Sequence, residues 1–318
     1  MKKLIVTILA IALCLSVCAC GASSSVPVVG ICQYGEHASL DNCRDGFVQG
    51  LEDAGLVEGE DFVLDYQNAS FDDNINNQIA QSFAAKNVSM MCAIATPSAI
   101  VCYAAAEEKD IPVIYTAISD PEGAKLVGGN ITGTSDKLPV DAQLQLIRAI
   151  QPNAKTIGII YTTSELNSVS TIEEYNAKAA DYGFTIEAVG ISAQSEVTQA
   201  ADNLISKKVD CFCNLTDNTV VGVLSSVLEK TNDAGIPVYG SEVEQVKLGC
   251  VASAGIDYVE LGRMTGQMAA KVLKGEAAAA DMPFESVTDF ANYVNTAALN
   301  QFGLSVPDSI ADSAIEAK

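Results

Sequence analysis

The feature that most constrains this chain is a unit that occurs twice. A strand-like apolar run ends in a polar turn containing Thr, a helical stretch follows, and Ile-Pro-Val announces the next strand. One copy reads CAIATPSAIVCYAAAEEKDIPVIYTAIS over 92–119, the other CFCNLTDNTVVGVLSSVLEKTNDAGIPVYGS over 211–241. Strands and helices alternate around each copy. Residues 26–34 form a continuous apolar run, as expected of a parallel strand covered on both faces. Leu40, Cys43, Phe47 and Leu51 recur at helical spacing, and Gly55 closes that helix. A strand, a helix over 75–86 and the first copy of the unit complete a β-α-β-α-β-α-β series.

The series then restarts. KTIGIIYT at 155–162 mirrors the first strand, with Gly158 in the place of Gly30. Helices are predicted at 171–182, 197–207 and 220–233, with strands between them. The chain is therefore α/β, with two Rossmann-like lobes, each built on its own parallel sheet. The remainder reads as a crossing strand at 250–256, an amphipathic helix at 257–276, a last strand at 286–295 and a last helix at 296–310. Crossings near 132–136, 253–257 and 282–285 form a three-segment hinge. They divide the chain into a lobe of 27–134 plus 256–281 and a lobe of 135–255 plus 282–318.

The first residues are not part of this pattern. Lys2 and Lys3 precede a short apolar run with small residues at its end, which reads as a secretory signal over 1–19. The end of that run, VCACGASSS, resembles a lipobox with Cys20 as the lipidated residue, and 20–26 then form a tether. The expected location is extracytoplasmic, on the outer face of the cell membrane. Ordinary signal cleavage, leaving Cys20 free, is the alternative. Of the ten cysteines, five lie in apolar strand-like runs, where a thiol serves as a small hydrophobe. One histidine and no second Cys/His pair argue against a metal site. No cofactor motif is found.

A formal charge of −22 disfavours nucleic acid and is compatible with a cationic or zwitterionic ligand or with a partner protein that has a basic face. In open parallel sheets ligands bind beyond the carboxyl ends of the strands. Those positions here are small, polar or aromatic. Thr96 is the expected N-cap of a helix with Pro97 at its first position, leaving amides and Ser98 free for an anion. Asp217 and Asn218 occupy the corresponding turn of the second lobe and carry two readings, ammonium receiver or helix cap. Glu242 and Asp257 are further candidates for a cation. His37 stands alone on a polar loop, where exposure is expected. No phosphate loop, GxSxG or HExxH motif points to an enzyme.

The segments GICQYGEHASLDNCRDGF, YQNASFD, ATPSA, SDPEGAKLV, NITGTSD, YTTSELNS, LTDNTV and YGSEVEQVKLGCVASAGIDYVELGRMTGQMAAKVLKGE, in this order, resemble ABC-transporter substrate-binding lipoproteins of the tryptophan/tyrosine-binding type. Ala38 replaces the usual proline after Glu-His, and Asn-Ala-Ser replaces Asn-Ala-Gln. The resemblance implies the type I periplasmic-binding-protein fold and a monomer that closes on a free amino acid, expected to be aromatic, and presents it to a membrane permease. It assigns Thr96 and Ser98, with Ser119 nearby, to the ligand carboxylate, and Asp217, Asn218 and Asp257 to its ammonium. Asn167, Ser168 and Glu242 would line the cleft, and Tyr34 and His37 would flank the side chain. The alternatives left open are a sugar or nucleoside as cargo, a ligand-sensing surface lipoprotein, and an enzyme of the doubly wound class.

Overall fold

A computed structural model of the protein describes residues 26–318. The signal segment, Cys20 and most of the tether lie outside the described residues. The first sheet holds β1 (Val28–Gln33), β2 (Val63–Asn68), β3 (Met90–Ile94), β4 (Val113–Thr116) and β5 (Ile131–Ser135), all parallel, in the order β2-β1-β3-β4-β5. Helices α1 (Ala38–Asp53), α2 (Asp73–Lys86) and α3 (Thr96–Ala106) connect them. The second lobe repeats the scheme. Its strands β6 (Thr156–Thr162), β7 (Thr185–Ile191), β8 (Cys211–Cys213) and β9 (Val238–Tyr239) run parallel in the order β7-β6-β8-β9. Its helices are α4 (Val140–Ile150), α5 (Leu166–Lys178), α6 (Val197–Ser206), α7 (Asn218–Val221), α8 (Leu224–Asp233) and α9 (Val243–Leu248).

The continuous apolar runs are explained by two-sided burial. Along β6, Ile157 and Ile159 enter one core with Leu144, Tyr175 and Cys213, while Ile160 enters another with Leu204, Phe212 and Val227. A strand covered on both faces has no polar side to show. The seven cysteines in the described residues are all free and buried, as small core residues.

Several boundaries differ from expectation. Residues 132–136 do not cross between lobes as a hinge; most of them form β5, and the crossing starts at Asp136. β11 (Glu285–Ser286) still pairs with β5, so the third crossing follows Ser286 rather than lying at 282–285. The expected last strand is therefore two pieces in different lobes. Its second piece, β12 (Ala291–Val294), runs antiparallel to β10 (Ala252–Gly255) and parallel to β13 (Ala314–Glu316). Bonds from Gly240 N to Ala252 O and from Val251 N to Val238 O attach this group to β9. The expected last helix is also two, α11 (Thr296–Gln301) and α12 (Asp308–Ala311), divided around Gly303 and Pro307. Helices α4 and α9 and strand β13 had no counterpart in the sequence reading.

One helix pair fixes the wall beside the cleft. Helix α10 (Tyr258–Leu273) lies along α1 with backbone against backbone. A Cβ on Gly46 would stand 2.0 Å from Val259 O, and one on Gly50 2.2 Å from Arg263 O. Reciprocally, a Cβ on Gly262 would stand 2.1 Å from Cys43 O, and one on Gly266 2.1 Å from Phe47 O. Two glycine pairs at i, i+4 spacing thus let the helices approach more closely than any side chain permits. The N-termini of both helices open onto the space between the lobes.

Candidate ligand-binding site between the lobes

The carboxyl ends of both sheets face each other, and the lobes touch across the gap. Asn42 Nδ2 donates to Glu244 Oε1 at 3.0 Å, His37 Nε2 meets Asn218 Oδ1 at 3.4 Å, and the hydroxyls of Ser119 and Thr216 are 3.3 Å apart. Each pair takes one residue from each lobe. At the rim, the ring of Phe71 leans on Gly222, where a Cβ would come within 2.9 Å of Cζ. Gly222 has φ −57°, which any residue adopts, so glycine serves there for room and not for conformation.

The contacts close over a cavity of about 10 Å³, lined by His37, Ser39, Leu40, Ala117, Asp136, Thr216, Asn218, Val221, Glu242, Gln245 and Tyr258. That is room for about one water molecule, so the two lobes are tightly shut over these residues in this conformation. The cavity lining holds two carboxylates and no lysine or arginine. Asp136 is buried and accepts from Ser119 Oγ at 2.9 Å and Tyr258 OH at 2.5 Å. Burial raises its pKa despite those bonds. Glu242 is 1% exposed and accepts from the amides of Glu244 at 2.6 Å and Gln245 at 3.1 Å, capping α9. Burial, with Glu244 adding repulsion, pushes Glu242 up to about 7. Desolvated carboxylates without a cationic partner favour a positive ligand group.

The sequence-predicted residues divide into those that face this space and those taken up by the scaffold. His37, Asn218 and Glu242 line the cavity. His37 is half-buried between the lobes, not exposed on a loop. Thr96 is 2% exposed and its Oγ1 has no partner. It is not the N-cap: Ala95, at φ +80°, takes that place because its amide still bonds Thr116 O in the sheet and the helix starts at the next residue. The first-turn amides of α3 are thereby left without intrahelical acceptors. Asn167 turns its Nδ2 to Thr216 O at 3.0 Å, and its Oδ1 is buried without a partner. Ser168 is buried against Asn167 Nδ2 at 3.4 Å.

The others are engaged elsewhere. Ser98 Oγ donates to Asn76 Oδ1 at 2.8 Å inside the first lobe. The Tyr34 hydroxyl donates to Asp73 Oδ1 at 3.0 Å, and its ring meets Phe71 edge-on. Ser119 holds Asp136. Asp217 is fully buried and accepts from Thr162 N at 2.5 Å, Thr162 Oγ1 at 2.8 Å and Val220 N at 2.9 Å, so it caps α7 and ties it to β6. Asp257 is exposed and caps α10 through the amides of Val259 and Glu260; it faces an outer groove with Lys247 and Glu316. Sequence reasoning missed Asp136, Tyr258 and Phe71 as site residues. A signal for Asp136 was present, since it directly follows a strand in NITGTSD. Glu165 binds the amides of Asn218 at 3.0 Å and Thr219 at 2.9 Å, and burial with the neighbouring Asp217 pushes it up to about 7.

Two parallel-sheet lobes, three crossings and a polar cavity shut by contacts from both sides define a bilobal protein that binds a small ligand by closure. The chain belongs to the ABC transporter substrate binding protein family, whose model matches residues 28–318. It is 38% identical over 273 residues to a tyrosine-binding protein of Clostridioides difficile, covering 84% of this chain and 78% of that one. A crystal structure of an ABC domain from Streptococcus pneumonia in complex with L-Trp superposes with a TM-score of 0.88 at 33% identity, covering 92% of this chain and 99% of that one. The ligand-free, open structure of a substrate binding protein with adhesive properties from Clostridium difficile gives 0.68 at 37% identity, covering 92% and 100%. The whole chain thus matches the ligand-bound structure better, although its sequence is nearer the open one. With the contacts between the lobes, this identifies the present conformation as closed. The protein has the type I periplasmic-binding-protein fold and works outside the cytoplasm by binding, not by catalysis.

Proposed function

We propose that this protein captures a free aromatic amino acid, tyrosine or tryptophan, and presents it in the closed form to an ABC permease. The observation that carries the reading is the anionic, cation-free cavity between the lobes, together with the buried, unpartnered Thr96 hydroxyl at the start of α3. The ligand ammonium lies between Asp136 and Glu242. Its carboxylate is held by the amides of α3 with the Thr96 hydroxyl, and Asn167 and Ser168 close that end from the other lobe. This moves the ammonium site away from Asp217, which does not line the cavity, and from Asp257, which faces the outer groove. The similarity to tyrosine-binding and L-Trp-bound relatives supports an aromatic side chain. Cys20 is the lipid attachment point, and the protein is a monomer.

Isothermal titration of refolded protein lacking residues 1–20, against the twenty amino acids and a set of sugars and nucleosides, tests the proposal. Saturable binding confined to aromatic amino acids is expected. Binding of a sugar or nucleoside instead, or of no amino acid, refutes it.

A further inference from the structure

His37 is the single histidine of the chain. It occupies the N-cap position of α1, yet its side chain makes no capping bond and turns into the space between the lobes. Its surroundings specify which ring nitrogen carries a proton. Glu165 accepts from Asn218 Nδ2 at 2.7 Å, and both Glu165 oxygens also take backbone amides, so the carboxylate acts as acceptor. The nitrogen of the Asn218 amide is therefore committed to Glu165, and its Oδ1 faces His37 Nε2. An amide oxygen only accepts, so Nε2 bears the hydrogen. The ring is neutral, since burial holds its pKa well below the usual histidine range. Nδ1 is then a bare lone pair, shielded from solvent and without a partner. The Phe71 ring lies parallel to the imidazole, with centroids 6.5 Å apart and planes 6° apart.

We infer that His37 is the specificity-determining residue of the site, its Nδ1 accepting a hydrogen bond from a donor on the ligand side chain, with the Glu165–Asn218 relay holding the tautomer. The inference rests on the proposed aromatic amino acid reading. It adds that the phenol of tyrosine or the indole N–H of tryptophan is required and that phenylalanine is rejected. A buried acceptor left unpaired by phenylalanine costs enough to separate the ligands about 10- to 100-fold.

The test is titration of L-Tyr, L-Trp and L-Phe into the wild-type protein and His37→Leu. The wild type is expected to bind at least one of L-Tyr and L-Trp at least about tenfold tighter than L-Phe. In H37L that preference shrinks to within about threefold, by loss of the preferred ligand rather than of L-Phe. Equal affinity for all three in the wild type, or an equal loss for all three in H37L, overturns the inference and assigns His37 to the ligand backbone or the fold. Binding of none of the three by the wild type refutes the aromatic reading itself. If H37L fails to fold, ¹⁵N NMR of the wild-type imidazole decides, because one histidine gives one unambiguous pair of signals. An Nε2–H tautomer whose Nδ1 resonance moves on adding L-Tyr supports the assignment. A proton on Nδ1, or an Nδ1 resonance unmoved by bound L-Tyr, removes it.

Discussion

Lowering the pH from 8 to 5 should stabilise the empty protein and weaken its ligand, and the two effects share a cause. Burial raises Glu242 to about 7 in the free protein, against an ordinary value of 4.5. The folded state therefore holds a proton that the unfolded chain releases between pH 4.5 and 7. Stability contributed by this group is greatest below that window and is lost as the pH rises through it, by up to ~3 kcal/mol. Glu165, also raised to about 7, adds in the same direction. An ammonium beside Glu242 favours the charged carboxylate and returns its pKa towards the ordinary range. At pH 5 only ~1% of free protein carries the ionised group, against ~90% at pH 8, so affinity should fall roughly 70-fold, or ~2.5 kcal/mol. Binding at pH 6 should release about one proton per ligand. Asp136 faces the same cavity, is also raised, and steepens the dependence. His37, already neutral, does not oppose it. Titration calorimetry at pH 5, 6, 7 and 8, in buffers of different ionisation enthalpy, measures both quantities. The amino acid remains zwitterionic throughout. A flat affinity with no proton release, or an unchanged profile in Glu242→Gln, would refute the placement of the ammonium.

Three further outcomes are expected. Gly262→Ala places a methyl 2.1 Å from Cys43 O, forces α1 and α10 apart, and should cost about 3 kcal/mol in thermal or urea unfolding; a loss under 0.5 kcal/mol would contradict the close helix contact. Phe71→Ala removes the rim contact with Gly222 and the stack on His37, and should raise the ligand dissociation rate about tenfold with little change in association; stopped-flow fluorescence separates the two rates. Asp217→Asn disturbs an acceptor of three buried donors and should destabilise the fold by about 2 kcal/mol while changing affinity less than about threefold. A large affinity loss in a stable D217N protein would restore Asp217 as the ammonium site.

The alternation of apolar runs and helical periods was enough to reveal two parallel-sheet lobes, because burial on both faces of a strand is recorded in consecutive residues of that strand. The helix end at Gly55 was legible for the same local reason. The strand ends bordering the site were also visible, since a cleft needs polar atoms where the sheets stop. Which of those atoms face a ligand was not. Thr96 looked like a cap, and Asp217 like either a cap or an ionic anchor. In the folded chain Thr96 has a free hydroxyl, while Asp217 meets Thr162, 55 residues away. Asp136 meets Tyr258 across 122 positions, and His37 meets Asn218 across 181. By itself the sequence determined the lobes and the rim on which a ligand can sit, because those depend on neighbours along the chain. Only the tertiary structure decided which carboxylates face the closed cavity with no cation beside them, because that depends on residues brought together from opposite lobes and distant strands.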